Sequence, residues 1–471
     1  MTNEQDKETT HTPVKDEHIS PVTKEFIEEL IKREAEADKL EAEIRGCEKK
    51  IKQMKNSNSW RKTRKARKFI SGKAEREAYI KELELQTAML ETELHQIKEK
   101  LRNMEFSNQK IDYQTIWRMA QEKKQDGSLI EHLDKMIAAK ELRDMNHQQF
   151  LQAAARLFIN ENPIYKKTVY EKILTGLNQE DIPEFMVRAA LSDEQVSLHQ
   201  AASFRGSLTA RMRKLQLTGS LPEMVLDDKK IAYQFMDMLH ISSPRIDEKE
   251  YKLSEIEERE NIVIKPIDGA GARGVYLVYR NDDIIDVREA KSVPNFTVLR
   301  RNMERDLEAG RVDRDAWLVE ELITEDAKAH TPARDVKFYC FYGKVGIVLE
   351  IVRYPELKYC WWTATGERVS TGKYEYSSFE GKGVTEEEIK MAEEISREIP
   401  APFIRIDFLR GEEKLVFGEL TPKPGNYDEF DTPTDKWLGD FYLEAEARLE
   451  QDLLSGKEFH YYKQLLKNIN E

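Results

Sequence analysis

Apolar positions recur along this chain with two different periods, and the change between them divides it. From Phe26 a heptad rhythm places Phe26, Leu30, Ala37, Leu40, Ile44, Cys47, Ile51 and Met54 alternately at a and d, with Arg33 as the polar gap. A second run, Ile80, Leu83, Thr87, Leu90, Leu94, Ile97, Leu101 and Met104, keeps the same spacing one residue out of phase. Glu, Lys and Gln fill most positions between. The pattern predicts a coiled coil over 21–105, since a stripe of this period buries best against another helix. A single amphipathic helix lying on a globular core has a similar signature. The phase change means that the helix skips a residue or the chain turns back. Association of two chains into a homodimer is the expectation, because the stretch between the runs carries no tight-turn pair beyond Asn56–Asn58 and is otherwise compatible with helix. A hairpin within one chain is the alternative.

Between 106 and 220 the spacing is helical but broken. IWRMAQ, LIEHLDKMIAAKEL, QFLQAAARLFI, VYEKILTGL and FMVRAAL are separated at Gly127, Pro163, Gly176 and Pro183, which predicts a helical linker domain. His147, His199 and His240 are isolated and read as satisfied or solvated side chains. From 221 the rhythm changes again. DDKKIAYQFMDMLHISSPRI (227–246) predicts a helix beginning near an aspartate cap, then a turn. IVIKP (262–266) is a continuous apolar run, as in a strand buried on both faces. VYLVY (275–279) returns from it, and WLVEELI (317–323) is a further strand. DVKFYCFYGKVGIVLEIVR (335–353) predicts a hairpin turning at Gly343. FIRIDFL (403–409) and LVFGEL (415–420) form a second antiparallel pair around the GEEK turn. Alternation in FIRIDFL sets Arg405 and Asp407 on one face and Ile404 and Ile406 on the other. The fold class is therefore α+β over 221–459, preceded by an all-α region. Residues 1–20 read as a disordered tail and 460–471 as a C-terminal tail.

Composition narrows the setting. Charged residues make up 35 % of the 471 and the apolar fraction is 39 %, which suits long solvated helices beside one ordinary core. The net charge of −13 argues against nucleic acid as a partner. Charge is nonetheless uneven. No acid occurs from Lys49 to Ala74, where eleven Lys and Arg residues surround Trp60 and Phe69. Such a stretch suits an anionic membrane surface or a polyanionic glycan; a solvated face has the same composition. Its string SNSWRKTRKAR resembles the SxSWRxTxPLR-type segment beside coiled coils in many bacterial cell-surface glycosyltransferases, without the proline and leucine. Cys47, Cys340 and Cys360 are too few and scattered for a disulfide framework or a zinc site. No apolar run reaches the ~18 residues of a membrane span, and the polar N-terminus has no signal core. The expected location is cytoplasmic, peripheral to the inner membrane face if residues 49–74 dock there.

The chemistry concentrates in the last third, in four segments whose order points to a nucleotide site. Lys265 ends a strand. Asp268 to Gly274 then supplies Gly269, Gly271 and Gly274, so backbone N–H groups can come close to phosphate oxygens. Strand–loop–strand flanks differ from the helix-opening loops of dinucleotide and Walker sites and suit a flap closing over a nucleotide, although a plain hairpin uses the same residues. Glu320 and Glu321 stand near the end of the next strand, and Lys337 lies two residues from Asp335. Asp407 and Glu419, on adjacent strands, are suited to one or two Mg²⁺ ions. A surface pair of acids would show the same spacing, but Arg405, an anion-binding side chain on the face of Asp407, tells against it.

Those residues, with RDVKFYCFYGK (334–344), RIDF followed by FGELTPKPGN, and TPTDKWLGD (432–440), resemble the ATP-grasp superfamily over 221–459. In that fold two α+β lobes hold ATP between antiparallel sheets. The region is most similar to the TupA-like branch, which belongs to teichuronic acid and related cell-wall glycan synthesis. The resemblance implies that Lys229 and Lys265 contact phosphate and that 268–274 is the phosphate loop. It makes Glu320, Glu321 and Leu322 the hinge whose backbone reads adenine. Lys337 and Arg405 would be catalytic, facing the phosphates, and Asp407 and Glu419 would bind Mg²⁺. Where many relatives have an acid-x-Asn triplet, this chain has Glu419-Leu420-Thr421, one metal ligand short, with Asn426 close by in sequence. The implied activity is an ATP-dependent ligase reaction through an acyl phosphate, on a glycan precursor or a small carboxylate and amine. The alternatives are a sugar phosphoryl transferase, or a coiled-coil scaffold whose ATP-grasp domain senses nucleotide or is inactive.

Overall fold

The computed structural model describes residues 111–470 apart from 192–195, 248 and 268–271, together with scattered helical positions between 45 and 92. Most of the heptad runs and of the basic segment, and the 1–20 tail, lie outside the described residues. The chain divides into two compact units, Met1–Asn160 and Glu161–Glu471. In the first, α1 (Tyr113–Gln125) is capped by Asp112, which accepts from Thr115 N–H at 3.0 Å. Gly127, at φ 77°, turns the chain into α2 (Leu129–Leu157).

In the second unit, α3 (Pro163–Leu174), α4 (Glu184–Leu191), α5 (Phe204–Thr218) and α6 (Lys229–Met238) precede two five-stranded antiparallel sheets. The first sheet contains β1 (Ile262–Pro266), β2 (Tyr276–Arg280), β3 (Asp283–Asp286), β4 (Lys291–Val293) and β5 (Trp317–Glu321), in the order β4-β3-β2-β1-β5. Between β4 and β5 runs α7 (Phe296–Glu308), whose Phe296, Leu299 and Met303 pack on Ile264, Tyr276, Val278, Trp317 and Val319. The IVIKP run is not buried on both faces as its composition suggests. A helix covers only the Ile262 and Ile264 side, so Val263 and Lys265 are half-buried on the opposite one.

After the short ladder of β6 (Thr324–Asp326) and β7 (Thr331–Pro332), the second sheet is built from β8 (Arg334–Cys340), β9 (Val345–Val352), β10 (Lys358–Thr363), β11 (Ile404–Arg410) and β12 (Leu415–Thr421), in the order β10-β9-β8-β11-β12. The expected hairpin turn is present: Tyr342 and Gly343 have φ of 37° and 82°, and Phe341 N–H donates to Lys344 O at 2.7 Å. The GEEK turn closes through Gly411 N–H and Lys414 O at 3.0 Å. Ile389, Ala392 and Ile395 of α8 (Glu386–Arg397) join the core beneath this sheet with Val336, Phe338, Ile406 and Phe408.

The chain closes with α9 (Thr432–Leu454) and α10 (His460–Asn470). The latter corrects the expectation of a C-terminal tail. Tyr462 and Leu465 fall on one helix face and are buried, and Tyr462 Oη donates to Pro222 O at 2.9 Å. At the start of α5, Asp435 of α9 accepts from Ser203 Oγ (2.7 Å) and from Arg205 N–H (2.9 Å), so one helix caps another. Gly439 makes this approach possible, because a Cβ there would stand 2.4 Å from the Ser203 nitrogen. Backbone cannot yield as a side chain can. Gly439→Ala is therefore expected to destabilise the fold by about 2 kcal/mol, measured as a lower denaturation midpoint at unchanged slope.

Candidate active site

The centre of the second sheet is a buried carboxylate. Asp407 on β11 is only 4 % exposed. Its cross-strand partners are Lys337 on β8 and Glu419 on β12. Lys337 Nζ donates to Asp407 Oδ2. Arg405, two residues back on the same face, forks onto both oxygens, at 2.6 Å (Nε to Oδ1) and 2.7 Å (Nη2 to Oδ2). It also reaches Thr421 Oγ1 at 3.0 Å and lies 3.8 Å from Glu419. Burial by itself would raise the Asp407 carboxyl, but the charges of Arg405 and Lys337 outweigh it and hold the group well below the usual carboxylate range. Glu419 is shifted the other way. Desolvation beside the sheet raises its carboxyl and the Asp407 charge adds to this, against Lys337, Arg405 and Lys229. Solvent still reaches it, since its side chain is 42 % exposed.

A β-bulge sets this pair. Phe408 pairs with Phe417 and Asp407 with Glu419, so Gly418 is the extra residue. In an unbroken strand Glu419 would share the face of Phe417, which lies in the core. The bulge turns Glu419 onto the face of Asp407. Glycine suits the position, because a Cβ would stand 3.2 Å from Asp407 O.

The first sheet carries a second charged pair, on the face away from α7. Lys265 Nζ is paired with Glu320 Oε2. The second oxygen of Glu320 is buried and has no hydrogen-bond partner. Val263 and Leu277 lie on the same face, packed with Leu322, Tyr279 and Tyr354 into a small apolar cluster. Tyr233 joins the two sheets. Lys265 Nζ lies 6.0 Å from its ring centre, and its hydroxyl donates to Gly418 O at 3.2 Å. Burial, then the charges of Glu320 and Glu419, push that hydroxyl well above the ordinary tyrosine range.

The structure thus groups Lys337, Arg405, Asp407 and Glu419 on one face of the second sheet and pairs Lys265 with Glu320 on the first, with Tyr233 between the two sets. Lys229 opens α6, after its cap Asp228, and its charge acts on Glu419. Glu321 and Leu322 sit at the expected end of β5, but their N–H groups are committed, to Arg245 O at 2.8 Å and Asn261 O at 3.0 Å. Gly269 and Gly271 lie outside the described residues. Gly274, at φ 69°, is required by packing, since a Cβ there would stand 2.8 Å from Val312 Cγ2. Sequence reasoning missed Tyr233, although its i,i+4 spacing from Lys229 places both on one helix face. It also missed Val263, Leu277 and Tyr354, which carry no signal of their own.

Asp407 carries three donors on roughly four lone-pair directions. Its removal leaves Lys337 without its paired carboxylate and Arg405 with only the more distant Glu419, at 3.8 Å. Asp407→Asn is expected to cost about 3–5 kcal/mol of stability near neutral pH. A depressed carboxyl contributes wherever the pH exceeds the unfolded value. The difference from wild type should therefore persist through mild acid and shrink only as pH falls below about 4, as urea melts at stepped pH will report.

Comparison with known proteins bears on this arrangement. The sequence model described as TupA-like ATPgrasp matches residues 206–443. No curated protein matches the chain. Among solved structures, the D-alanine–D-alanine ligase of Bacillus anthracis complexed with ATP is 15 % identical, over 54 % of this chain and 79 % of that one, at a TM-score of 0.31. The ATP-grasp ligase PsnB, complexed with minimal precursor, Mg and ADP, is 14 % identical over 56 % and 74 %, at 0.29. The D-alanine–D-alanine ligase of Helicobacter pylori is 15 % identical over 46 % and 58 %, at 0.28. Likenesses this slight carry no weight beside the family match. With half its length covered by that match, the chain belongs to the TupA-like ATP-grasp family.

Proposed function

We propose that the chain binds ATP with Mg²⁺ between its two sheets and uses it to join a carboxylate to a nucleophile in cell-envelope polysaccharide synthesis of the teichuronic acid kind. The observation that carries this is the gathering of charged side chains on the two sheets, Lys265 with Glu320 on the first and Lys337, Arg405, Asp407 and Glu419 on the second, with Tyr233 reaching from Lys265 to the bulge beside Glu419. Val263, Leu277, Leu322 and Tyr354 supply an apolar bed for a base. To the Glu320 oxygen that has no protein partner we assign acceptance of a hydrogen bond from an exocyclic amine. With the Glu321 and Leu322 N–H groups committed, reading of the adenine edge by this hinge falls to their carbonyls. Lys265 is held by Glu320 and exchanges that partner for a phosphate oxygen.

In the reaction, a carboxylate oxygen attacks the γ-phosphorus and the bond to the β-phosphate oxygen breaks, giving an acyl phosphate and ADP. An amine or other nucleophile then attacks the acyl carbon, and phosphate leaves. Arg405 and Lys337 set fixed positive charge where the phosphoryl group gains negative charge. The remaining lone pair of Asp407 and the open Glu419 carboxylate would hold Mg²⁺, which when bound would neutralise phosphate charge. Thr421 is held by Arg405, so this donor set serves one metal ion better than two. Outside this site, we assign homodimerisation to the heptads and contact with an anionic membrane or polyanionic glycan to residues 49–74. Among the described residues no helix is long and apolar enough to cross a membrane.

Calorimetry tests the nucleotide reading. Wild type should bind ATP in a Mg²⁺-dependent manner, and Lys265→Ala should lose at least about tenfold in affinity, the equivalent of one charge-assisted contact. Absence of adenine-nucleotide binding by wild type would sink it. Glu419→Gln should stay folded yet lower turnover on the order of 10²-fold; turnover equal to wild type at low Mg²⁺ would show that another carboxylate holds the metal. Light scattering should give a dimer for the full chain and a monomer for a chain beginning at residue 107. A full-length monomer would favour the intramolecular hairpin.

A further inference from the structure

Lys373 carries a charge that the scheme above does not use. The residue is 2 % exposed. Among the described residues no carboxylate lies within ion-pair distance of its ammonium. Instead it donates to two successive backbone carbonyls, Gly425 O at 3.1 Å and Asn426 O at 2.6 Å. The rings of Tyr374 and Phe430 lie beneath it at 4.9 and 5.1 Å. An ammonium removed from water without a counter-ion is unfavourable, and carbonyl dipoles and ring faces offset only part of that.

The residue is rigidly framed. Trp361 Nε1 donates to Lys373 O at 3.0 Å, and Asp431 N–H donates to Thr371 O at 2.9 Å. Gly372 lies against Asp431 at φ 74°, where a Cβ would meet the Asp431 Cβ at 2.7 Å. The Lys373 ammonium therefore acts on the turn it grips and not the reverse. That turn follows directly from β12, through Pro422, Lys423 and Pro424. Asn426 is held in the left-handed region at φ 53°. The C=O and N–H of a trans peptide point opposite ways, so drawing both carbonyls onto Lys373 fixes two consecutive peptide planes. Phe430 packs edge-on against Tyr339 at 5.9 Å, and Tyr339 is the cross-strand partner of Arg405.

We propose that Lys373 is a positioning residue of the ATP-dependent reaction: its ammonium clamps the Gly425–Asn426 carbonyls and so fixes the loop leaving β12, and with it Glu419 and Thr421, against Arg405. The proposal rests on the ATP-site reading above. The clamp has a pH dependence. Burial, with the nearby charge of Arg405, lowers the Lys373 ammonium to about 8, against the opposing pull of Glu429 and Asp428. Above that pH the neutral amine makes weaker bonds to the carbonyls, and the loop loosens.

The experiment compares wild type, Lys373→Met and Lys373→Arg by hydrogen exchange and by calorimetry with Mg·ATP. At neutral pH, Lys373→Met should speed exchange of the non-proline amides in 422–428 by about tenfold or more, leave other segments unchanged, and weaken Mg·ATP by a similar factor. Wild-type affinity should fall as pH rises through the Lys373 transition, whereas Lys373→Arg, which keeps its charge, should hold a flatter profile. Unchanged exchange and affinity in Lys373→Met would overturn the proposal. If that variant fails to fold, parallel pH profiles for wild type and Lys373→Arg overturn it instead. If wild type binds no Mg·ATP, the nucleotide reading fails, while the exchange of 422–428 still decides the clamp.

Discussion

One buried carboxylate organises the second sheet. Asp407 ties β8 to β11 through Lys337 and stands opposite Glu419 on β12. Two cations around a single fully buried acid leave that face of the sheet with excess positive charge. Glu419 tempers the excess but faces solvent, so part of its influence is screened. A polyanion reaching this face would meet charge that is already fixed in the folded state and needs no reorganisation on binding. Loss of Asp407 would leave Lys337 and Arg405 with only the more exposed Glu419 near them in a low-dielectric setting, whereas loss of one cation would leave a balanced pair.

The first sheet follows a different logic. Lys265 and Glu320 neutralise each other there, and one oxygen of Glu320 is left without a protein partner. The pair keeps the lysine extended while the apolar side chains beside it stay unsolvated. Tyr233 spans the gap, its ring near Lys265 and its hydroxyl on the Gly418 carbonyl. The bulge residue that turns Glu419 onto the face of Asp407 thus also receives the contact that ties α6 to β12. Further along, the loop leaving β12 is gripped by Lys373, so the strand end that carries Glu419 and Thr421 is fixed from both directions.

Much of this was legible in the residues. Alternation in FIRIDFL set Arg405 and Asp407 on one face, and the glycines at 343 and 411 marked the two hairpin turns that bring β8, β9, β11 and β12 together. Lys265, the acids of WLVEELI and the RIDF and GEL motifs lie on the strands read for them. The misreadings have local causes. IVIKP looks buried on both faces because valine and isoleucine do not report which side a helix covers. The last twelve residues looked like a tail because the partner of their apolar face, α6, lies more than two hundred residues earlier.

By itself the sequence marked β1, β2, β5, β8, β9, β11 and β12 with the turns at Gly343 and Gly411, and offered side chains of the kinds suited to phosphate and metal, because such signals depend on neighbours two to four positions apart. Only the tertiary structure decided how those side chains meet. Period-two alternation would have put Glu419 in the core with Phe417, and a one-residue bulge at Gly418, read only against β11, reverses it. Nothing around Lys373 in sequence separates it from a surface lysine; its burial comes from Phe430 and the Gly425–Asn426 carbonyls, some fifty residues away. The hinge residues were identifiable, but whether their N–H groups stayed available depended on Arg245 and Asn261. Local pattern fixes what a segment can offer, and long-range packing fixes which of those groups remain to be used.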